Sequence, residues 1–147
     1  MVKDFRSRGV PIDGVGLQMH IFDRKADFAG IEANIARFTA LGVQVHITEM
    51  DVALPANADG TASDFNDLER QAEIYREIAK ICFTHPGCTA LQTWGFTDKY
   101  SWIRSTTRGA KGAALLFDWD YRPKPAYSAL RSTLSERVRG LQQTPAR

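Results

Sequence analysis

Two carboxylates that follow a strand-like stretch are the residues of this sequence best placed to do chemistry. Glu49 and Asp51 follow residues 43–47, which are apolar at most positions and suit a buried strand. In a parallel sheet flanked by helices, reactive groups are placed at the carboxyl ends of the strands. Glu49 is therefore the first candidate for catalysis. The alternative is a strand-end acid that only meets solvent or caps the next loop.

Two further stretches place polar or aromatic side chains at predicted strand ends. Residues 14–20 alternate in character, which puts Gln18 and His20 on one face near the carboxyl end of a strand. A third short strand ends at Trp94. In a parallel sheet these groups would face the same mouth as Glu49. For a single histidine such as His20, a satisfied position in the core is the ordinary alternative.

A carboxylate, a histidine and a tryptophan at one mouth suit the cleavage of glycosidic bonds. That reaction normally needs two carboxyl groups, which in retaining enzymes lie roughly 5–5.5 Å apart and act as nucleophile and as acid, then base. A nucleophile must stay ionised, and donors such as His20 and Gln18 would favour that state of Glu49. Asp51 and Asp98 are the nearest candidates for the second carboxyl group, although each lies in a loop beyond a strand end.

Amphipathic helices separate the predicted strands. Apolar residues recur at three- and four-residue steps over 28–41, with Asp27 as a plausible N-cap and Gly42 as a stop. A second such helix covers 68–82, and a last one starts at Pro125. The alternation of strand and helix predicts a parallel α/β fold, with the helices on one face of the sheet.

Alternation along the central strand assigns side chains to its two faces. Counting back from Glu49 in steps of two places Val45 and Ile47 in the interior with it, and leaves His46 and Thr48 facing the helices. His46 is then a structural residue. This assignment also disfavours the one metal site considered, which would combine His20, His46 and Glu49.

Length, charge and cysteine content bound the remaining possibilities. The 147 residues suffice for one domain, and the formal net charge of +2 gives no reason to expect nucleic acid or an anionic membrane as a partner. No apolar run reaches the length of a membrane span, and no secretory signal is visible at the start. Cys82 and Cys88 could form a disulfide or remain two thiols, and composition leaves both open.

Four motifs, in order and at compatible spacing, resemble glycoside hydrolase family 10, whose members are endo-β-1,4-xylanases on a (β/α)₈ TIM barrel. The motifs are Gly14-Val-Gly-Leu-Gln-Met-His20, Ile47-Thr-Glu-Met-Asp51, Thr93-Trp-Gly-Phe-Thr-Asp-Lys-Tyr-Ser-Trp102, and Leu116-Phe-Asp118 with Pro123-Lys-Pro-Ala-Tyr127. The resemblance implies that residues 1–134 form the C-terminal part of such a barrel, with its sixth to eighth strand-helix units. Residues 135–147 would be the end of the last helix and a loose tail, which the sequence predicts from Gly140 onward.

The resemblance also implies roles for the matching residues. Glu49 would be the catalytic nucleophile of a retaining hydrolase, and His20 and Asp51 the groups that hydrogen-bond to it and orient it. The side chains that would line the sugar site next to the cleaved bond are Gln18, Trp94 and Trp102. Cys82 and Cys88 would form a disulfide. The expected partner is xylan or a xylo-oligosaccharide, no cofactor or metal is expected, and the implied location is secreted or periplasmic.

One part of the family pattern is missing from this sequence. The family's acid/base is a glutamate that directly follows an asparagine at the end of the fourth strand, and no Asn-Glu pair occurs here. A (β/α)₈ barrel typically takes about 250 residues, so Met1 is expected to be an internal methionine or a secondary start of a longer enzyme. We expect the isolated chain to be weakly active or inactive, and to self-associate or depend on an N-terminal half-barrel. The alternative is a non-catalytic xylan-binding or assembly fragment.

Overall fold

Helices and strands alternate along residues 1–22 and 25–142, which are the residues that the computed structural model describes. The helices are α1 (Val2–Ser7), α2 (Phe28–Thr39), α3 (Phe65–Thr84), α4 (Ile103–Thr106) and α5 (Pro125–Gln142), and a 3₁₀ turn covers Asp98–Tyr100. The strands are β1 (Gly14–Ile21), β2 (Gln44–Val52), β3 (Leu54–Pro55), β4 (Cys88–Thr93) and β5 (Lys111–Gly112).

Three strands form a parallel sheet in the order β1-β2-β4. A helix joins each neighbouring pair, α2 between β1 and β2, and α3 between β2 and β4. Parallel neighbours need a crossover of this kind, because a tight turn cannot connect them. The parallel α/β fold predicted from the sequence is therefore confirmed. Beyond the carboxyl end of β2, the short strands β3 and β5 pair antiparallel.

The helices α2 and α3 pack on one face of this sheet and enclose the main apolar core. Side chains from both layers are fully buried there, among them Ile35, Val45, Ile47, Ile74 and Ile78. The predicted beginning of α2 is present, since the Asp27 carboxylate accepts a hydrogen bond from the Gly30 amide at 2.9 Å. Three residues after α2 ends, Gly42 has a φ of +74°, a left-handed conformation that suits glycine and stops the helix.

The two faces of β2 are opposite to those predicted from alternation. Val45 and Ile47 are fully buried against the helices, whereas His46 is exposed and Thr48 borders the same open groove as Glu49. The prediction was wrong because it counted back from Glu49 as if the strand were regular. The pairing of β2 shifts register against β1 and against β4 near this residue, so the period of two does not pass through it.

The last helix is longer than the sequence indicated. A loose tail was predicted from Gly140 onward, but α5 passes this residue and continues to Gln142. Residues 143–147 lie outside the described part of the chain. The predicted boundary at residue 134 falls inside α5, without a break in the helix at that point.

A disulfide connects the end of α3 to the start of β4, the last strand in the order of the parallel sheet. It joins Cys82, in the last turn of α3, to Cys88, the first residue of β4, and their Cα atoms lie 5.1 Å apart. Over residues 1–22 and 25–142, no helix combines the length and the apolar character that crossing a membrane requires.

The observed faces of β2 predict that substitution of two adjacent residues changes the free energy of unfolding by very different amounts. Ile47→Ala removes a fully buried side chain and should lower the free energy of unfolding by about 2–5 kcal/mol. His46→Ala changes an exposed side chain and should alter it by less than about 0.5 kcal/mol. Urea unfolding of the two variants measures both values, and a larger loss for His46→Ala would contradict the assigned faces.

Candidate active site

The carboxyl ends of β1 and β2 gather the polar residues that the sequence singled out. In the register of these parallel strands, Gln18 pairs with Thr48 and His20 with Asp51. Both β1 side chains therefore reach Glu49 from the neighbouring strand. The predicted cluster of Gln18, His20, Glu49 and Asp51 exists in the structure, and the contacts within it are direct.

Glu49 interrupts the regular strand. Its φ of +58° lies in the left-handed region, which residues other than glycine rarely adopt. The register shift against both neighbouring strands is typical of a β-bulge, which redirects side chains locally. As a result Thr48 and Glu49 both border the open groove, while Met50 and Asp51 are fully buried. Strained backbone of this kind concentrates at functional sites.

Both carboxylate oxygens of Glu49 have a partner on β1. The amide Nε2 of Gln18 donates to Oε1 at 3.1 Å, and Nε2 of His20 lies 3.2 Å from Oε2. The Glu49 side chain nevertheless keeps 23% of its surface exposed. The carboxylate is therefore held in one orientation and remains accessible from the groove.

Asp51 lies behind His20 and has no exposed surface. Its Oδ1 is 3.0 Å from Nδ1 of His20, and its Oδ2 accepts a hydrogen bond from the indole Nε1 of Trp102 at 2.8 Å. Burial raises the pKa of Asp51 above its usual value, while the hydrogen bonds from Trp102 and His20 act in the opposite direction. His20 is thus fixed from both sides, by Glu49 at one ring nitrogen and by Asp51 at the other.

The two tryptophans predicted to line a sugar site occupy different positions. Trp94 is 50% exposed and borders, with Glu49, a groove of about 280 Å³ whose other lining residues are Thr48, Gln92 and Thr93. Trp102 lies edge-on to His20, with ring centroids 5.0 Å apart, and is only partly exposed. Trp94 is therefore an exposed aromatic side chain at the groove beside Glu49, whereas Trp102 contacts His20 and Asp51 behind it.

Neither candidate for a second carboxyl group faces Glu49. The ring of His20 stands between Asp51 and Glu49. Asp98 is buried elsewhere, where Oδ2 accepts a hydrogen bond from Lys124 Nζ at 2.9 Å and Oδ1 accepts one from the Leu115 amide at 2.7 Å. Of the described residues that line the groove beside Trp94, Glu49 is the one that carries a carboxylate.

The argument from alternation against a metal site was wrong, because His46 does not face the helices. The carboxylate oxygens of Glu49 instead contact side-chain nitrogens of Gln18 and His20. Within the described ranges, no group of three or more His, Cys, Asp or Glu side chains is arranged to hold a metal ion.

Two buried donors near the site were missed in the sequence. Nε2 of Gln71 donates to the carbonyls of Val52 and Ala113 at 2.7 and 2.6 Å, and the hydroxyl of Tyr75 donates to the carbonyl of Ala114 at 3.0 Å. Gln71 and Tyr75 are four residues apart on α3 and so share its buried face. The signal that could have revealed Gln71 is its position: it falls at the helical spacing of the apolar residues on the buried face of α3.

Comparisons with known proteins agree with this geometry. Residues 1–133 match the profile of glycosyl hydrolase family 10. Endo-1,4-beta-xylanase B from Thermotoga neapolitana is 45% identical over 139 residues, which cover 95% of this chain and 39% of that protein. Endo-1,4-beta-xylanase D from Talaromyces funiculosus is 39% identical over 136 residues, with 91% of this chain and 32% of that protein covered.

Solved structures give the same result. Native xylanase 10B from Thermotoga maritima superposes with a TM-score of 0.87 at 42% identity, covering 95% of this chain and 42% of that one. Xylanase 10B from Thermotoga petrophila RKU-1, solved with xylobiose, has a TM-score of 0.86 at 43% identity, covering 94% of this chain and 41% of that one. The chain thus spans about two fifths of the length of these relatives, and its sheet is part of a TIM barrel. The chain belongs to glycosyl hydrolase family 10.

Proposed function

We propose that this chain carries the nucleophile half of the site of a retaining endo-β-1,4-xylanase, and that Glu49 is the nucleophile. The observation that supports this most is the contact of both Glu49 oxygens with side-chain nitrogens on β1, those of Gln18 and His20, in a groove that Trp94 also borders. A carboxylate fixed in this way costs little reorganisation when it reacts. The xylobiose bound to the relative from Thermotoga petrophila indicates the class of sugar to test.

The proposed reaction has two displacement steps. One oxygen of Glu49 attacks the anomeric carbon, and the bond from this carbon to the oxygen of the departing sugar breaks. That oxygen takes a proton from a general acid, and water later displaces Glu49 while the same group acts as a base. In the groove that Trp94 borders, Glu49 is the one carboxylate among the described residues. A second, larger groove beside Glu49 is also lined by Asp27, whose carboxylate accepts a hydrogen bond from the Gly30 amide at the start of α2. We therefore assign the acid to the part of the barrel that the relatives have and this chain does not cover.

Asp51 acts on Glu49 through the ring of His20, which lies 3.0 Å from Asp51 at Nδ1 and 3.2 Å from Glu49 at Nε2. An ionised Asp51 only accepts, so the hydrogen between it and His20 belongs to Nδ1 of the ring. A ring that carries hydrogens on both nitrogens also donates from Nε2 and would stabilise negative charge on Glu49 in the free enzyme and in the departing carboxylate of the second step, whereas a neutral ring with its hydrogen on Nδ1 only accepts at Nε2. Gln18 adds a second donor at Oε1.

A non-catalytic xylan-binding or assembly fragment is the second candidate function. The exposed ring of Trp94 favours it, because sugar rings stack on aromatic faces, and this contact needs no second carboxylate. Self-association, or docking onto an N-terminal half-barrel, would cover the outer edges of β1 and β4, which pair with no further strand in the described part of the chain. A secreted or periplasmic location stays a prediction, with which the disulfide is compatible.

Covalent labelling tests the role of Glu49 directly. We join the chain to the N-terminal barrel segment of the Thermotoga maritima xylanase and treat it with dinitrophenyl 2-deoxy-2-fluoro-β-xylobioside. Because the fluorine slows the second displacement, mass spectrometry should find one fluoroxylobiosyl group, located on Glu49.

Two variants control this experiment. Glu49→Gln should abolish the label, and Glu77→Gln, which changes an exposed carboxylate paired with Lys80, should leave it unchanged. A label on another residue would contradict the proposed nucleophile. Binding of xylo-oligosaccharides without any label would favour the non-catalytic module.

The isolated chain should release little or no reducing sugar from xylan. The physical reason is that an attack by Glu49 leaves the departing oxygen without a proton donor in the groove. Reducing-sugar assays compare the isolated chain with the completed barrel. Robust release by the 147-residue chain, lost on Glu49→Ala, would show that a second carboxyl group is available within it.

Asp51→Asn should change how stability depends on pH. Because burial raises the pKa of Asp51 in the folded chain, the folded state holds this proton more tightly than the unfolded state. The contribution to stability is therefore complete below the ordinary value of 3.8 and declines as pH rises through the folded pKa. Relative to Asp51→Asn, the wild type should lose about 1.4 kcal/mol for each unit of pKa shift. Urea unfolding at several pH values measures this, and a pH-independent difference would contradict it.

A further inference from the structure

The loop that carries Trp102 is joined to the start of α5 by a buried ion pair, whose hydrogen bonds and ion pairs do not include Glu49. Oδ2 of Asp98 lies 2.9 Å from Nζ of Lys124, and the two side chains keep only 3% and 7% of their surface exposed. Asp98 precedes Trp102 by four residues, in the 3₁₀ turn of the same loop, and Lys124 directly precedes α5. The pair therefore joins the loop after β4 to the start of the last helix.

Both members of the pair also bind one short backbone segment, residues 113–115. The Leu115 amide donates to Oδ1 of Asp98 at 2.7 Å, and Nζ of Lys124 donates to the carbonyl of Ala113 at 2.7 Å. Ala113 has a φ of +45°, which an alanine adopts only where its surroundings impose it. The same carbonyl accepts a second hydrogen bond, from Gln71.

The segment 113–115 is also hydrogen-bonded to the end of β2. The Val52 amide donates to the carbonyl of Ala114 at 3.0 Å, and Gln71 donates to the carbonyl of Val52 at 2.7 Å. Val52 directly follows Asp51. One backbone segment is thus the common support for the strand end that carries Asp51 and for the loop that carries Trp102.

This arrangement explains how the indole of Trp102 reaches the buried carboxylate of Asp51 at 2.8 Å. Asp51 lies at the end of β2 and Trp102 on the loop after β4, so their contact depends on how the strand end and the loop are each attached to the segment 113–115. A buried ion pair is poor support for stability, since desolvation offsets the attraction of the charges. Burial raises the pKa of Asp98 and lowers that of Lys124, which is the sign of this penalty.

We propose that Asp98 and Lys124 are positioning residues, which hold the loop after β4 so that Trp102 hydrogen-bonds to Asp51. Their effect on Glu49 passes through Asp51 and His20, and in this respect the inference rests on the proposed function. The hydrogen bond itself can be observed whether or not Glu49 is the nucleophile.

The test uses four variants of the 147-residue chain and the indole N–H signal of Trp102 in ¹H–¹⁵N NMR spectra. Lys124→Met breaks the pair, and Asp98→Asn with Lys124→Met removes both charges while an amide oxygen at position 98 can still accept from the buried Leu115 amide. Lys80→Met, which removes an exposed ion pair with Glu77, is the matched control. Trp102→Phe assigns the signal. Solvent exchange of this N–H and the urea midpoint of unfolding are measured for each variant.

Lys124→Met should lower the urea midpoint and speed exchange of the Trp102 indole at least tenfold. The double variant should recover most of the midpoint, since no unpaired charge stays buried, but its indole should still exchange at least tenfold faster than in the wild type. Lys80→Met should match the wild type in both. This combination of results distinguishes an effect of the pair on the position of Trp102 from an effect on the stability of the fold.

Three results would overturn the proposal. The first is an unchanged indole in Lys124→Met, and the second is a double variant that restores both the midpoint and slow exchange. The third is a double variant that stays as unstable as Lys124→Met or fails to fold, because the pair would then be required for folding itself. If Glu49 takes no fluoroxylobiosyl label but the indole responds as expected, the proposed function fails and the positioning role stands.

Discussion

The buried carboxylate of Asp51 is the constraint on which the rest of the site depends. A carboxylate without exposed surface is costly unless donors satisfy it, and here those donors come from two other parts of the chain. Trp102 supplies an indole N–H from the loop after β4, and His20 supplies a ring nitrogen from β1. Asp51 Oδ1 and His20 Nδ1 lie 3.0 Å apart, and within the described residues neither atom has a hydrogen-bond partner of full geometry, so this contact is what each of them has. The requirement to satisfy Asp51 thus fixes the ring of His20, and the fixed ring meets Glu49.

Much of this fold follows from pattern and from turn chemistry. The spacing of apolar residues predicts α2 and α3, Asp27 caps the first of them, and the strand ends carry the predicted polar residues. The site residues could be named from the sequence because their types are unusual at strand ends, and because the motifs around them resemble one family. Parallel strands then bring these ends to one edge, which is a consequence of topology alone.

The remaining features depend on tertiary contacts that have no local signature. Nothing in the neighbouring residues indicates that Glu49 has a positive φ, so the bulge could not be predicted from the sequence. The prediction therefore assigned Val45 and Ile47 to the wrong face of β2. Asp98 was considered as a second carboxyl group, although Lys124, which neutralises it, lies 26 residues further along the chain. Such a pair is recognised only when the loop and the last helix are seen together.

The protonation of the His20 ring is the most direct test of the account, because the ring connects Asp51 to Glu49. Chemical shifts of both ring nitrogens can be measured by ¹⁵N NMR of the ¹⁵N-histidine-labelled chain as pH is varied, with His20→Gln to assign the signals. The account predicts that Nδ1 keeps its hydrogen throughout the range in which Asp51 is ionised, and that Asp51→Asn removes this preference. A neutral ring that carries its hydrogen on Nε2 alone, while Asp51 is ionised, would contradict it.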